Sequence, residues 1–192
     1  MKSILITGAS SGIGAAVALA YAQRYGQGGC TLALSGRDAD RLQAVATACR
    51  ASGATVSATV IDVTDQAAMR QWISDADTAA PLDIVLANAG ISGGEDEATI
   101  RRIFDVNLTG VLNTVHPALD CMRTRGRGTI GMVSSIAGNR GLPSAPAYSA
   151  AKAAVLAYGE GLRGRFGFRG EARAPSATFF LLDPSVPSTG SG

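Results

Sequence analysis

Histidine, cysteine and aromatic residues are scarce in this chain: its 192 residues include one histidine, three cysteines and 5% aromatics. Neither sign of charge dominates, since 17 Lys and Arg face 15 Asp and Glu for a net charge of +2. The cysteines, Cys30, Cys49 and Cys121, are odd in number and far apart, which leaves no zinc-type ligand spacing and makes reduced thiols in a cytoplasmic protein the expectation. His116 stands just before Pro117 without ligand-type neighbours, so a structural or surface place is expected for it rather than catalysis. A modest arginine cluster from Arg163 to Arg173 suits a phosphate-bearing ligand, but the near-balanced charge makes no demand for nucleic acid. No apolar run approaches the about 18 residues of a membrane span, and the opening MKSILITG is shorter than a signal segment. The expectation is one soluble domain over residues 1–192, with no metal, no membrane and no nucleic-acid partner.

What the chain has is alternation. Short apolar runs at Ser3 to Thr7, Thr31 to Ser35, Thr55 to Ile61, Ile84 to Asn88, Thr129 to Ser134 and Ala177 to Leu182 read as strands. Segments of helical period fall between them, at Ile13 to Tyr25, Ala39 to Ser52, Asp65 to Ala76, Glu97 to Arg123 and Tyr148 to Phe166. Pro117 is expected to kink or break the long fourth segment. With right-handed crossovers, this order gives an α/β, Rossmann-type doubly wound and mostly parallel sheet of about six strands, with a ligand crevice at the strands' carboxyl ends.

Two motifs carry chemistry. After the first strand comes TGASSGIG, in which Gly8 allows a tight turn, Gly12 lets backbone N–H groups approach a pyrophosphate, and Gly14 permits close packing of helix on strand. Ordinary strand-to-helix loops also use Gly and Ser, so the placement after an N-terminal strand is what gives the motif weight. Further on, AYSAAKAA sets Tyr148 and Lys152 four apart, on one face of a helix. An ammonium beside a phenol favours the phenolate, which suits a Tyr to exchange a proton with a carbonyl oxygen while a hydride reaches the carbon. A half-buried helical Tyr with a chance Lys neighbour is the plainer alternative.

The spacing Thr-Gly-x-x-x-Gly-x-Gly resembles that of the short-chain dehydrogenase/reductase family. The resemblance extends to Asp62 in IDVTD, Asn88-Ala89-Gly90, Asn107 in DVNLTG, Ser135 in MVSSIAG and the Tyr148-Lys152 pair, with Ser135 preceding Tyr148 by 13 residues. It implies an oxidoreductase that moves a hydride between a nicotinamide cofactor and a small-molecule carbonyl or secondary alcohol. In it Tyr148 is general acid or base, Ser135 holds the substrate oxygen, Lys152 tunes Tyr148 and holds the nicotinamide ribose, and Asn107 supports a water relay to Lys152. The turn residues Gly8, Ser10, Ser11, Gly12, Ile13 and Gly14 would cradle the cofactor, Asp62 and Val63 would line its adenine pocket, and Asn88, Ala89 and Gly90 would support the adenosine ribose. The resemblance also implies a homodimer or homotetramer formed through helices 97–123 and 148–166.

An NAD-specific site would place an acid at the end of the second strand, where this chain has Gly36 followed by Arg37. An Arg can clamp a 2′-phosphate, so NADP(H) is expected, with NAD(H) possible; Asp38 and Asp40 weaken the local field and offer Arg37 other partners. The sequence departs from the family pattern near its end. Pro184 and Thr189 keep the expected interval for a nicotinamide contact, but Ser185 replaces a Gly, and a C-terminal substrate lid is not expected. A competing expectation is therefore an NADP(H)-binding protein or sensor with weak or no catalysis. A P-loop regulator is disfavoured, since the glycine turn lacks the Lys-Ser/Thr of that motif.

Overall fold

Alternation in the sequence becomes alternation of strand and helix. The computed structural model describes residues 2–94, 96–167 and 181–182. Strands β1 (Lys2–Ile6), β2 (Cys30–Gly36), β3 (Thr55–Val60), β4 (Ile84–Ala87), β5 (Thr129–Val133) and β6 (Leu181–Leu182) form one sheet in the order β3-β2-β1-β4-β5-β6. Every neighbouring pair is parallel. Helices α1 (Gly12–Tyr25), α2 (Ala39–Ala51), α3 (Gln66–Ala79), α4 (Glu97–Phe104), α5 (Gly110–Arg125) and α6 (Pro146–Gly167) make the crossovers. The expected doubly wound sheet is thus present. Of the sixth expected strand only the last two residues lie among those described, and Pro184 and Thr189 lie outside them.

A central parallel strand is covered on both faces and so is apolar along most of its length. In β1, Ile4 and Ile6 pack with Leu32 and Leu34 of β2 against Ala18 and Ala22 of α1 and Leu42 and Cys49 of α2. Leu5, between them in sequence, points the other way and joins Val85, Ile130 and Met132 against Met69 and Ile73 of α3 and Val115 and Met122 of α5. The chain runs outward from β1 to β3, then returns past β1 to β4. Loops after β1 and β4 consequently leave in opposite directions, and a crevice opens where they part.

The close approach of α1 to the end of β1 depends on Gly14. A Cβ there would stand 2.3 Å from the Gly8 carbonyl oxygen, and a backbone atom cannot give way cheaply. Gly14→Ala is expected to destabilise the fold by about 1–3 kcal/mol, seen as a lower denaturant midpoint at unchanged slope; an unchanged midpoint would show that the turn can relax.

Pro117 does not break its helix. α5 runs through it to Arg125, and the interruption falls instead on a π-helical turn, Asp105–Thr109, between α4 and α5. Proline removes one N–H, but Val115 and Ala118 on either side are fully buried, and their packing holds the helix together. The π turn has a different cause. Asn107 is wholly buried within it, and the wider turn lets its side chain find the partners that burial demands.

Candidate active site

The crevice is a cleft of about 350 Å³ that runs from the glycine turn after β1, past the ends of β2 and β4, to Tyr148 and Lys152 on α6. At one end, Gly8 and Gly12 take the positive φ values of 67° and 55° that the turn requires. Helices α2, α3 and α4 are each capped by an aspartate side chain, Asp38, Asp65 and Asp96. By contrast, Ser11 at the N-cap of α1 makes no side-chain capping bond, and the first turn of that helix carries no acid. Its leading N–H groups and the positive end of its dipole therefore face the cleft, a setting suited to an anion.

The ends of β1 and β4 are braced together. Thr7 Oγ1 accepts hydrogen bonds from the backbone N–H of Asn88 (3.0 Å) and of Ala89 (3.2 Å). In return, Asn88 Nδ2 donates to the carbonyl oxygens of Thr7 (3.0 Å) and Gly8 (3.2 Å). Asn88 thus holds the glycine turn in shape, and with Ala89 and Gly90 it lines the cleft.

At the far end Lys152 is almost fully buried, and its Nζ donates to the Val133 carbonyl oxygen at 2.8 Å. Burial pulls the ammonium down to about 8. Nζ lies 5.7 Å from the centroid of the half-buried Tyr148 ring. Asn107 clamps the chain after β4, its Oδ1 accepting from Ile91 N–H (2.8 Å) and its Nδ2 donating to Ile91 C=O (2.7 Å). A Cβ on Gly90 would meet Asn107 Oδ1 at 2.9 Å and Lys152 Nζ at 3.4 Å, so these two groups converge on one bare backbone position. Ser135, half-buried at the end of β5, caps a short 3₁₀ turn by accepting from Ala137 N–H at 3.2 Å.

Most of the residues singled out in sequence come together here. Gly8, Ser10, Ser11, Gly12, Ile13, Arg37, Asp62, Val63, Asn88, Ala89, Gly90, Tyr148 and Lys152 all line the cleft, whereas Gly14, Asn107 and Ser135 stand behind or beside it. At the β2 end Arg37 is exposed and makes no ion pair among the described residues, while Asp38 pairs with Arg41 at 3.2 Å. A Cβ on Gly36 would stand 2.9 Å from both Cβ and Oγ of Ser10, which crowds out a larger side chain at that corner. Asp62 accepts from Thr64 N–H (2.9 Å), from Thr64 Oγ1 (2.8 Å) and from Arg102. Burial pushes this carboxyl up, but the bonds from Thr64 and the Arg102 guanidinium outweigh it and hold it below the usual carboxylate range.

Three contributors escape a reading of the sequence. Thr7 opens the Thr-Gly-x-x-x-Gly-x-Gly motif, but its role as a brace to Asn88 and Ala89 does not show there. Arg102 and Asn113 give no signal, because their partners, Asp62 and the Val63 carbonyl, lie 40 and 50 residues away. Among the described residues no helix is long and apolar enough to cross a membrane, and no group of three His, Cys, Asp or Glu is placed to hold a metal.

Residues 2–168 match the short chain dehydrogenase family. An uncharacterized oxidoreductase of Myxococcus xanthus is 39% identical over 168 residues, covering 84% of this chain and 65% of the relative, so the chain spans just under two thirds of that protein. Among solved structures, an alcohol dehydrogenase from the archaeon Thermococcus sibiricus complexed with 5-hydroxy-NADP superimposes with a TM-score of 0.82 at 29% identity, over 95% of this chain and 75% of that one. A short chain dehydrogenase/reductase from Burkholderia phymatum in complex with NAD gives 0.81 at 26% identity, over 93% and 64%.

Proposed function

The chain belongs to the short chain dehydrogenase family, and on that premise we propose that it reduces a carbonyl group on a small molecule with NADP(H), or oxidises the corresponding alcohol. The observation that carries this reading is one continuous cleft joining the glycine turn to Tyr148 and Lys152. Its fit to a dinucleotide rests on the uncapped start of α1 and on the bare backbone at Gly8 and Gly12. The N–H groups there receive the pyrophosphate, Asp62 and Val63 border the adenine, and Asn88 to Gly90 support the adenosine ribose. When bound, the nicotinamide supplies the hydride for reduction or accepts it in oxidation. Tyr148 gives its proton to the substrate oxygen in reduction and takes it back in oxidation. Ser135 Oγ donates to that oxygen, stabilising the charge that develops on it. Lys152 holds the ribose hydroxyls and the electrostatic setting of Tyr148, while Asn107 and Lys152, converging on Gly90, mark the start of a proton path to solvent. Pairing of two copies through helices 97–123 and 148–166 belongs to the same reading.

NADP(H) is favoured over NAD(H) by the exposed Arg37, which makes no ion pair among the described residues, and by the close approach of Ser10 to Gly36, which disfavours an acid at that position. Titration of the protein with NADPH and NADH, followed by reduced-nicotinamide fluorescence, tests it. NADPH is expected to bind more tightly, and Arg37→Ala to weaken NADPH by roughly tenfold or more while changing NADH little, as for loss of a charge-assisted hydrogen bond. Equal weakening of both would remove the 2′-phosphate from the account, and failure of both to bind would overturn the cofactor reading.

A further inference from the structure

Among the described residues the sheet ends at β3, which pairs with β2 on one side only. One bond fixes which backbone groups this leaves facing outward. Ile61 N–H, just beyond the strand, donates to the Gly36 carbonyl oxygen of β2 at 3.2 Å. In a strand the N–H and C=O of one residue point to the same side, and that side alternates from residue to residue. Thr55, Ser57 and Thr59 therefore turn their N–H and C=O to β2 as Ile61 does, and Val56, Ala58 and Val60 turn theirs away from it.

An open edge is a template for another strand, and natural edges are blunted by charge, proline or a bulge. β3 reads TVSATV, with no charge and no proline, and its register with β2 runs unbroken from Thr55 to Val60. Valine and threonine favour the extended chain. Val60 is 58% exposed, more than any other large apolar side chain among the described residues. An uncharged run of this composition is of the kind that pairs with its own copies.

The outward groups are self-complementary. A two-fold axis brings like strands together antiparallel. With that axis at Ala58, the Ala58 peptide groups meet one another and Val56 meets Val60 across the axis, so each Val56 carbonyl has to accept from a Val60 N–H. That carbonyl is already engaged. Arg50, exposed in the last turn of α2, donates from Nη2 to the Val56 carbonyl oxygen at 2.9 Å. Since the oxygen faces outward, the guanidinium stands on the outer side of the edge, where a second strand would lie. A strand laid there would also strip water from a charged group.

We propose that Arg50 guards the edge of β3: by occupying the Val56 carbonyl it keeps this edge from pairing with the same edge of a second copy of the chain. A bond that served only to tie α2 to β3 would cost stability when removed and leave association unchanged.

The test is sedimentation velocity over a range of protein concentrations, for the wild type, Arg50→Ala, Arg50→Met, Ala58→Pro and the double variant Arg50→Ala/Ala58→Pro. Arg50→Ala is expected to form species of about twice the wild-type mass or more as concentration rises, with slower hydrogen exchange at the Ala58 and Val60 amides. Arg50→Met keeps the length of the side chain without its donor and is expected to associate in the same way, so the guard stays testable should the alanine variant fail to fold. Ala58→Pro removes an N–H that faces away from β2, which spares the sheet and blocks the new pairing, so the double variant is expected to return to the wild-type mass. A folded Arg50 variant that keeps the wild-type mass at every concentration, or association that Ala58→Pro does not reverse, overturns the guard. So does a wild type whose own mass falls on Ala58→Pro, since its edge would then be paired with Arg50 in place.

Discussion

Tyr148→Phe is expected to lower carbonyl reduction by roughly 10²–10⁴-fold while leaving NADPH affinity within about twofold of wild type. The substitution removes one hydroxyl and keeps the ring. That ring packs with Ile103, Ala147 and Ala151 at the junction of α4 and α6, so the fold and the shape of the cleft survive it. On the proposed reading the proton donor for the substrate oxygen disappears, and among the described residues that line the cleft Lys152 donates to the Val133 carbonyl while Asp62 is engaged with Thr64 and Arg102. The measurement is NADPH oxidation across a panel of ketones and aldehydes, with cofactor binding followed separately by fluorescence. Turnover that persists in the phenylalanine variant would remove Tyr148 from the chemistry. Tight NADPH binding with no turnover by the wild type on any carbonyl would instead favour a binding protein or sensor over an enzyme.

Replacing Lys152 with methionine is expected to have a split effect, cutting turnover by about 10²–10³-fold while changing the pH dependence of stability. Lys152 is 3% exposed, and burial lowers its ammonium from the ordinary 10.5 to about 8. Between those two values the unfolded chain holds a proton that the folded chain has released, so unfolding takes up a proton and stability rises with pH across this window. Below about 8 both states are charged and the folded protein bears the full cost of burying the ammonium. The wild type should accordingly gain stability relative to Lys152→Met as pH is raised from 8 to 10.5, as read from denaturant midpoints at each pH. A difference between the two proteins that stays flat across that range would mean Lys152 titrates as an ordinary exposed lysine. The loss of activity and the change in pH slope have one origin: the same burial that makes Lys152 costly to the fold places its charge beside Tyr148 without competing water.

The sheet was legible because period and composition speak for themselves in a parallel α/β domain. Continuous apolar runs such as ILI and LAL can satisfy both faces of a central strand and little else, and each was followed by a segment of helical period that had to cross over. Glycine placement was legible for a related reason. At Gly8 and Gly12 the backbone takes positive φ, and at Gly14 a carbonyl stands where a side chain would be, so the residue type itself reports the geometry. Tyr148 and Lys152 were found because they are four apart on one helix, a local relation that needs no tertiary knowledge.

Other features had no local signature. Pro117 looked like the break in the long helical segment, yet the core packing of Val115 and Ala118 carries the helix through it, and the irregular turn forms at Asn107, where a buried amide must reach Ile91. That Asp38 pairs with Arg41, one turn further along, and not with its neighbour Arg37 among the described residues, was not legible either. The grip of Arg102 on Asp62 joins residues 40 apart in sequence, and only the folding of α4 across the end of β3 makes them neighbours.

By itself the sequence determined the alternation of elements, the parallel sheet, the glycine turn and the Tyr148-Lys152 pair, since each follows from the intrinsic geometry of a few neighbouring residues. Tertiary structure alone decided which charges remain unpaired, which polar groups are buried and therefore shifted, and which distant side chains brace the cleft, because those depend on solvent exclusion and on contacts between segments far apart along the chain.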